Sequence, residues 1–150
     1  AGLINLNYRD EECIKVCDNV YEELGANAQR RYPNEEFLRF VGRSIGSMSR
    51  EEKETLTALE VGCGSGGNLW VFAEQGCKTI GLDISKKGLE YAKEYLNSRE
   101  LKAEFVCESM TDMSRIDDRS IDLVADIFSS NCLTIDEHKM FLKEIKLKMF

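Results

Sequence analysis

The segment Leu59-Glu60-Val61-Gly62-Cys63-Gly64-Ser65-Gly66-Gly67-Asn68 sets a carboxylate two residues ahead of a run of glycines. Glycines between an apolar stretch and a helix-forming one let the backbone turn sharply and approach a ligand that side chains would hold away. Gly62, Gly64 and Gly67 satisfy the dinucleotide pattern GxGxxG, whereas Glu60, Gly62, Gly64 and Gly66 satisfy ExGxGxG. The glycines alone therefore leave two ligand classes open, and Glu60 discriminates between them. A carboxylate at the carboxyl end of a buried strand is costly unless a cation or a hydrogen-bond donor meets it. Pyrophosphate is the wrong partner for such a group. A second acid, Asp83 in Gly81-Leu82-Asp83-Ile84-Ser85, is placed to accept both hydroxyls of a ribose. The two acids together frame a cationic nucleoside, one with a positive amino-acid moiety and a sulfonium.

The surrounding pattern must position these residues. Leu56 to Val61 reads as a short strand leading into the glycine turn, and Asn68 to Gln75 as a helix closed by Gly76. Lys78 to Leu82 is the next strand. Ser85 caps a helix to about Asn97 that buries Leu89, Ala92, Tyr95 and Leu96. Ala103 to Cys107 and Ile121 to Ile127 are further strands, and Asp136 to Met149 is a last helix with Phe141, Leu142, Ile145 and Met149 inward. Strands alternating with helices predict a parallel sheet with helices on its faces. Ahead of this unit, Asp10 to Leu24 carries Cys13, Ile14, Cys17, Val20, Tyr21 and Leu24 on one helical face and stops at Gly25. Asn34 caps a second helix with Glu35 and Glu36 in its first turn, Phe37, Leu38, Val41 and Ile45 inward, and Gly46 at its end. Ser47 to Glu54 reads as a polar connector.

Composition bounds the function classes. The 150 residues are 43% apolar with a single proline, which suits one globular domain and excludes collagenous, low-complexity or disordered chains. No apolar run reaches the roughly 18 residues of a membrane span. The net charge of -7 gives no electrostatic footprint for nucleic-acid binding. Arg30, Arg31, Arg39 and Arg43 read as a solvated helix face with pairing carboxylates. Six cysteines without CxxC spacing or a signal pattern read as reduced thiols of a cytoplasmic protein. Cys13 and Cys17 stand one helical turn apart, and His138 is far from both, so no metal site is expected.

The run LEVGCGSGGNL, followed by GLDIS, FVCESMTDM and SIDLVADIFSSNCL, resembles the class I S-adenosylmethionine-dependent methyltransferases over about Leu56 to Phe150. That resemblance implies an α/β, Rossmann-like three-layer fold with parallel sheet order 3-2-1-4 and an N-terminal helical cap. It implies one domain, with residues 1–55 as the cap and 56–150 as the cofactor-binding core. It implies S-adenosyl-L-methionine as cofactor, its methionine part over Glu60, Gly62, Cys63, Gly64 and Gly66, its ribose on Asp83 and its adenine beside Ile84. The segment after the third strand is implied in adenine binding, with Glu108, Ser109 and Met110 as the matching residues. Tyr32 either lines the site or packs in the core, and Met110 and Met113 either touch adenine or pack. The end of the fourth strand, Asp126 to Phe128, is implied to face methyl group and acceptor. Asp126 is the nearest candidate base, or else an acid that caps the loop after the strand, and His138 is a weaker candidate.

The implied activity is methyl transfer to a small-molecule acceptor, with no nucleic-acid or membrane partner. An NAD-binding oxidoreductase fits GxGxxG and Asp83 but not Glu60, and a non-catalytic nucleotide-binding module is the third alternative. The implied sheet normally has seven strands, of which this sequence supplies four. The chain is therefore expected to belong to a longer protein, or to have the edge of its fourth strand covered by another copy.

Overall fold

A computed structural model describes residues 8–150. Its sheet consists of β1 (Thr57–Val61), β2 (Lys78–Asp83), β3 (Glu104–Cys107) and β4 (Leu123–Asp126), all parallel, in the order β3-β2-β1-β4. The register sets Glu60 beside Gly81 on one side and Ala125 on the other, and Val61 beside Leu82 and Asp126. The carboxyl ends of β1, β2 and β4 thus meet at one edge of the sheet, where the strand order reverses and α/β folds bind ligands. The fold class is the one the sequence predicts.

The helices are α1 (Tyr8–Leu24), α2 (Glu35–Ile45), α3 (Arg50–Glu54), α4 (Trp70–Gln75), α5 (Lys86–Ser98) and α6 (Ile135–Lys148). Phe37, Val41 and Ile45 of α2 pack with Phe72 of α4 on one face of the sheet. Phe141 of α6 packs with Leu59, Val61, Leu82 and Ile121 in a second cluster. Leu89 and Leu96 of α5 meet Cys63 and Leu69 in a third. Asn34 caps α2, its side chain accepting from Phe37 N at 3.1 Å, and Ser85 caps α5, accepting from Gly88 N at 3.1 Å. Gly76 ends α4 in the left-handed conformation at φ 98°.

Several expectations are corrected. The stretch read as a connector contains α3, which begins with a reciprocal capping box between Ser49 and Glu52. The helix expected from Asn68 starts at Trp70, because Asn68 is held by Asn34 N, and the strand expected from Ile121 to Ile127 is limited to Leu123–Asp126. Val20, Leu24, Leu38 and Leu142 are exposed rather than inward, and Tyr95 is half-buried. Arg39 pairs with Glu35 at 2.7 Å on an exposed face as expected, but Arg30 and Arg31 lie in the linker before α2, not on a helix. Among the described residues none of the six cysteines forms a disulfide.

Candidate functional site

Two cavities open side by side over the carboxyl ends of β1 and β2. The first, about 770 Å³, is walled by Glu60, Gly62, Cys63, Gly67 and Asn68 below and by Asn27 to Arg30, Tyr32, Asn34 and Ile127 to Ser129 around it. The second, about 560 Å³, is lined by Asp83, Ile84, Glu108, Ser109 and Met110, by Glu12, Cys13, Val16 and Cys17 of α1, and by Cys132, Leu133 and Glu137. Gln29, Gly62 and Ser129 line both, so the cavities meet at a waist formed by these three residues.

Glu60 ends up here because β1 is buried from Ala58 onward and delivers it, 2% exposed, to the floor of the first cavity. One of its carboxyl oxygens, Oε1, has no hydrogen-bond partner among the described residues. Burial and the neighbouring Asp83 push its pKa well above the ordinary carboxylate value, against a hydrogen bond from the Asn68 side chain. Asn68 Oδ1 accepts from Asn34 N at 2.8 Å, which leaves the Asn68 amide nitrogen to face Glu60. An orphaned, nearly buried carboxyl oxygen is a demand for a donor, and an ammonium group answers it.

Asp83, at the end of β2, accepts from Gly64 N at 2.9 Å through Oδ2 and from Ser85 N at 2.8 Å through Oδ1. Burial raises its pKa, opposed by these backbone donors, and Asp18 adds to the rise. Asp18 Oδ1 in turn accepts from Ser85 Oγ at 2.8 Å, which ties α1 to the amino end of α5 over the second cavity. The Tyr21 ring stacks on Tyr91 at 5.6 Å beside that contact.

The glycine loop is tight for distinct reasons. Gly62 has φ 65°, and a side chain there would stand 2.2 Å from Ser129 Cβ; Gly64 has φ 51°, and one there would stand 1.9 Å from Gln29 Oε1. Neither Gly64 nor Gly66 is among the residues that line these two cavities. Gly64 is covered by Gln29, and Gly66 lies against Ala92 and Leu96 of α5, where its small size serves helix packing.

Of the other expected site residues, Cys63 lines the first cavity and is buried; Ile84, Ser109 and Met110 line the second. Tyr32 stands on the rim of the first, 84% exposed. Met113 is fully buried in the core and lines neither. Glu108 reaches the second cavity, but its carboxylate accepts from Arg115 N at 3.1 Å and from Ser114 Oγ at 3.0 Å. Asp126 lines an adjoining slot of about 270 Å³ with Phe37, Phe40 and Phe128. Its Oδ1 accepts from Ser129 Oγ at 2.6 Å and Ser130 N at 3.2 Å, the geometry of an acid capping the loop after its strand. His138 lies on α6 and lines none of these cavities.

Sequence reasoning missed Gln29, Asn68 and Ser129. Asn68 carried a signal, since it directly follows the glycines. Gln29 carried none, being one polar residue in a polar linker that the fold happens to lay across the loop.

The family model described as "Methyltransferase domain" matches residues 58–147. Among solved structures, a protein studied for the conversion of a disulfide bond into a thioacetal group during echinomycin biosynthesis superposes with a TM-score of 0.75 at 20% identity, covering 91% of this chain and 56% of that one. Phosphoethanolamine N-methyltransferase 1 of Haemonchus contortus, solved with phosphoethanolamine and S-adenosylhomocysteine, gives 0.67 at 18%, covering 94% and 30%. A SAM-dependent methyltransferase of Methanosarcina mazei gives 0.59 at 28%, covering 65% and 49%. The chain thus spans between about a third and just over half the length of these relatives. No curated protein matches the sequence. S-adenosylmethionine is the cofactor of this family, and the unpartnered Glu60 oxygen above a glycine cradle fits its ammonium end. With well over half of its residues matched by the family model, the chain belongs to the class I S-adenosylmethionine-dependent methyltransferases.

Proposed function

We propose that this chain holds S-adenosylmethionine across the two cavities and presents its methyl group to a small-molecule acceptor. The observation that carries the reading is Glu60: a nearly buried acid with one unpartnered oxygen favours a ligand with a cationic end and disfavours a pyrophosphate. In this reading Glu60 takes the ammonium group, with Asn68 orienting its carboxyl. Gly62, Cys63 and Gly67 form the floor under the methionine part, while Gly64 and Gly66 set the loop's shape from beneath. Asp83 takes the ribose, with Ile84, Ser109 and Met110 around the adenine, and Tyr32 closes the rim.

When bound, the cofactor supplies a methyl group already activated by a sulfonium. The protein's part is then to hold acceptor and methyl in line and to exclude water. Asp126 is the acid we assign to the acceptor side. Its Oδ1 is committed to the Ser129–Ser130 turn, and its Oδ2, which accepts no hydrogen bond among the described residues, is the atom left to take a proton.

Titration calorimetry with S-adenosylhomocysteine and with NAD tests the cofactor. Binding of the first alone is expected, and binding of NAD alone overturns the reading. Asp83→Asn is expected to weaken S-adenosylhomocysteine binding roughly 10- to 100-fold, the worth of hydrogen bonds to a charged acceptor.

A further inference from the structure

We propose that Gln29 is the residue that selects the charged cofactor over its neutral product, by presenting its side-chain oxygen to the sulfonium at the waist between the two cavities. The inference rests on the cofactor reading above. A ligand with its amino-acid end at Glu60 and its ribose at Asp83 must pass its sulfur through the place where the two cavities meet. Among the described residues only Gln29, Gly62 and Ser129 line both cavities. Gly62 has no side chain. The Ser129 hydroxyl is engaged by the strand ends beneath it, 2.9 Å from Val61 O of β1 and 2.6 Å from Asp126 Oδ1 of β4. Gln29 Oε1 lies over Gly64 and among the described residues accepts one long bond, from Ser65 N at 3.3 Å, which leaves a second lone pair unused.

The linker that carries Gln29 is held in place on both sides. Arg31 O accepts from Tyr95 Oη at 3.0 Å, and Asn34 N donates to Asn68 Oδ1 at 2.8 Å. Arg30 O lies 2.0 Å from where a side chain on Gly67 would begin, so the backbone rests directly on the glycine loop. Gln29 is therefore presented by a fastened strap. A neutral carbonyl dipole favours the positive sulfonium and the hydrogens on its attached carbons, but has little to offer a thioether. Selection against the product follows from this difference.

The test is calorimetric titration of the wild type, Gln29→Leu and Gln29→Glu with S-adenosylmethionine and with S-adenosylhomocysteine, read as the ratio of the two Kd values. Gln29 is exposed, so neither variant threatens the fold. Gln29→Leu is expected to move the ratio roughly fivefold or more against the sulfonium, and Gln29→Glu to move it the opposite way. Equal weakening of both ligands, the signature of a merely structural role, or a ratio unchanged in both variants, overturns the assignment while leaving the cofactor reading intact. A wild type that binds neither ligand overturns the cofactor reading and this inference with it.

Discussion

Glu60 and Asp83 line adjoining cavities with their pKa values both raised, chiefly by burial, with Asp83 adding to the rise at Glu60 and Asp18 to the rise at Asp83. The folded protein therefore retains protons that the unfolded chain has already released. For Glu60 this stabilisation is complete below its unfolded pKa and is lost as the pH rises through its higher folded value. Glu60→Gln removes that titration while keeping an oxygen for Asn68. The ligand-free variant is expected to melt above the wild type at about pH 8, the gain fading toward about pH 4, and to bind S-adenosylhomocysteine far more weakly. Thermal denaturation across that range checks it, and parallel pH profiles for the two proteins would show that Glu60 carries no such burden. Asp83 is different in one respect that its sequence did not disclose. It receives Gly64 N and Ser85 N on separate oxygens, so Asp83→Ala would also cost about 1–3 kcal/mol of stability, and Asp83→Asn, which keeps one acceptor but sets its amide nitrogen against the other N–H, costs part of that.

Among the elements, the strands, helices and the strand-to-loop position of both acids were legible because short apolar strands, glycines and caps are local signals, whereas the sheet order came only from the family resemblance, since no local signal encodes which strands pair. The second helix shows where such reading stops. Its cap Asn34 and its inward Phe37, Val41 and Ile45 follow from pattern, but Leu38 has the same hydrophobicity and is exposed, because what covers a helix is decided by its neighbours. The short α3 was legible in principle, since Ser49 and Glu52 have capping-box spacing, but its five polar residues offer no periodicity. The contact of Gln29 with Ser65 N joins residues far apart in the chain and has no local signature at all. Asn34 does two jobs through separate atoms: Oδ1 caps α2 and the backbone N–H holds Asn68. Asn34→Ala is thus expected to lower stability by about 1 kcal/mol in chemical denaturation, with cofactor affinity unchanged because the backbone donor remains. A loss of affinity in step with the loss of stability would mean that the cap of α2 and the glycine loop form a single cooperative unit.

For the molecule as a whole, the sheet leaves β3 and β4 as its outer strands, and they are not equivalent. β3 opens with exposed Glu104, a charge that discourages pairing with another chain. β4 presents half-buried Leu123 and Val124, and beside it lies the apolar slot bounded by Phe37, Phe40 and Phe128. Phe128 is 70% exposed and adopts φ 65°, a conformation uncommon for an aromatic residue and better suited to asparagine. An open edge next to exposed aromatic surface favours association, so the 150-residue chain is expected to show a mass above that of one chain in size-exclusion chromatography with light scattering, falling on dilution. Phe128→Asn removes the apolar ring and suits the local backbone. It should therefore shift the protein toward the single-chain mass without loss of melting temperature. A single-chain mass at every concentration would mean that the twist and shortness of a four-residue strand are enough to protect this edge.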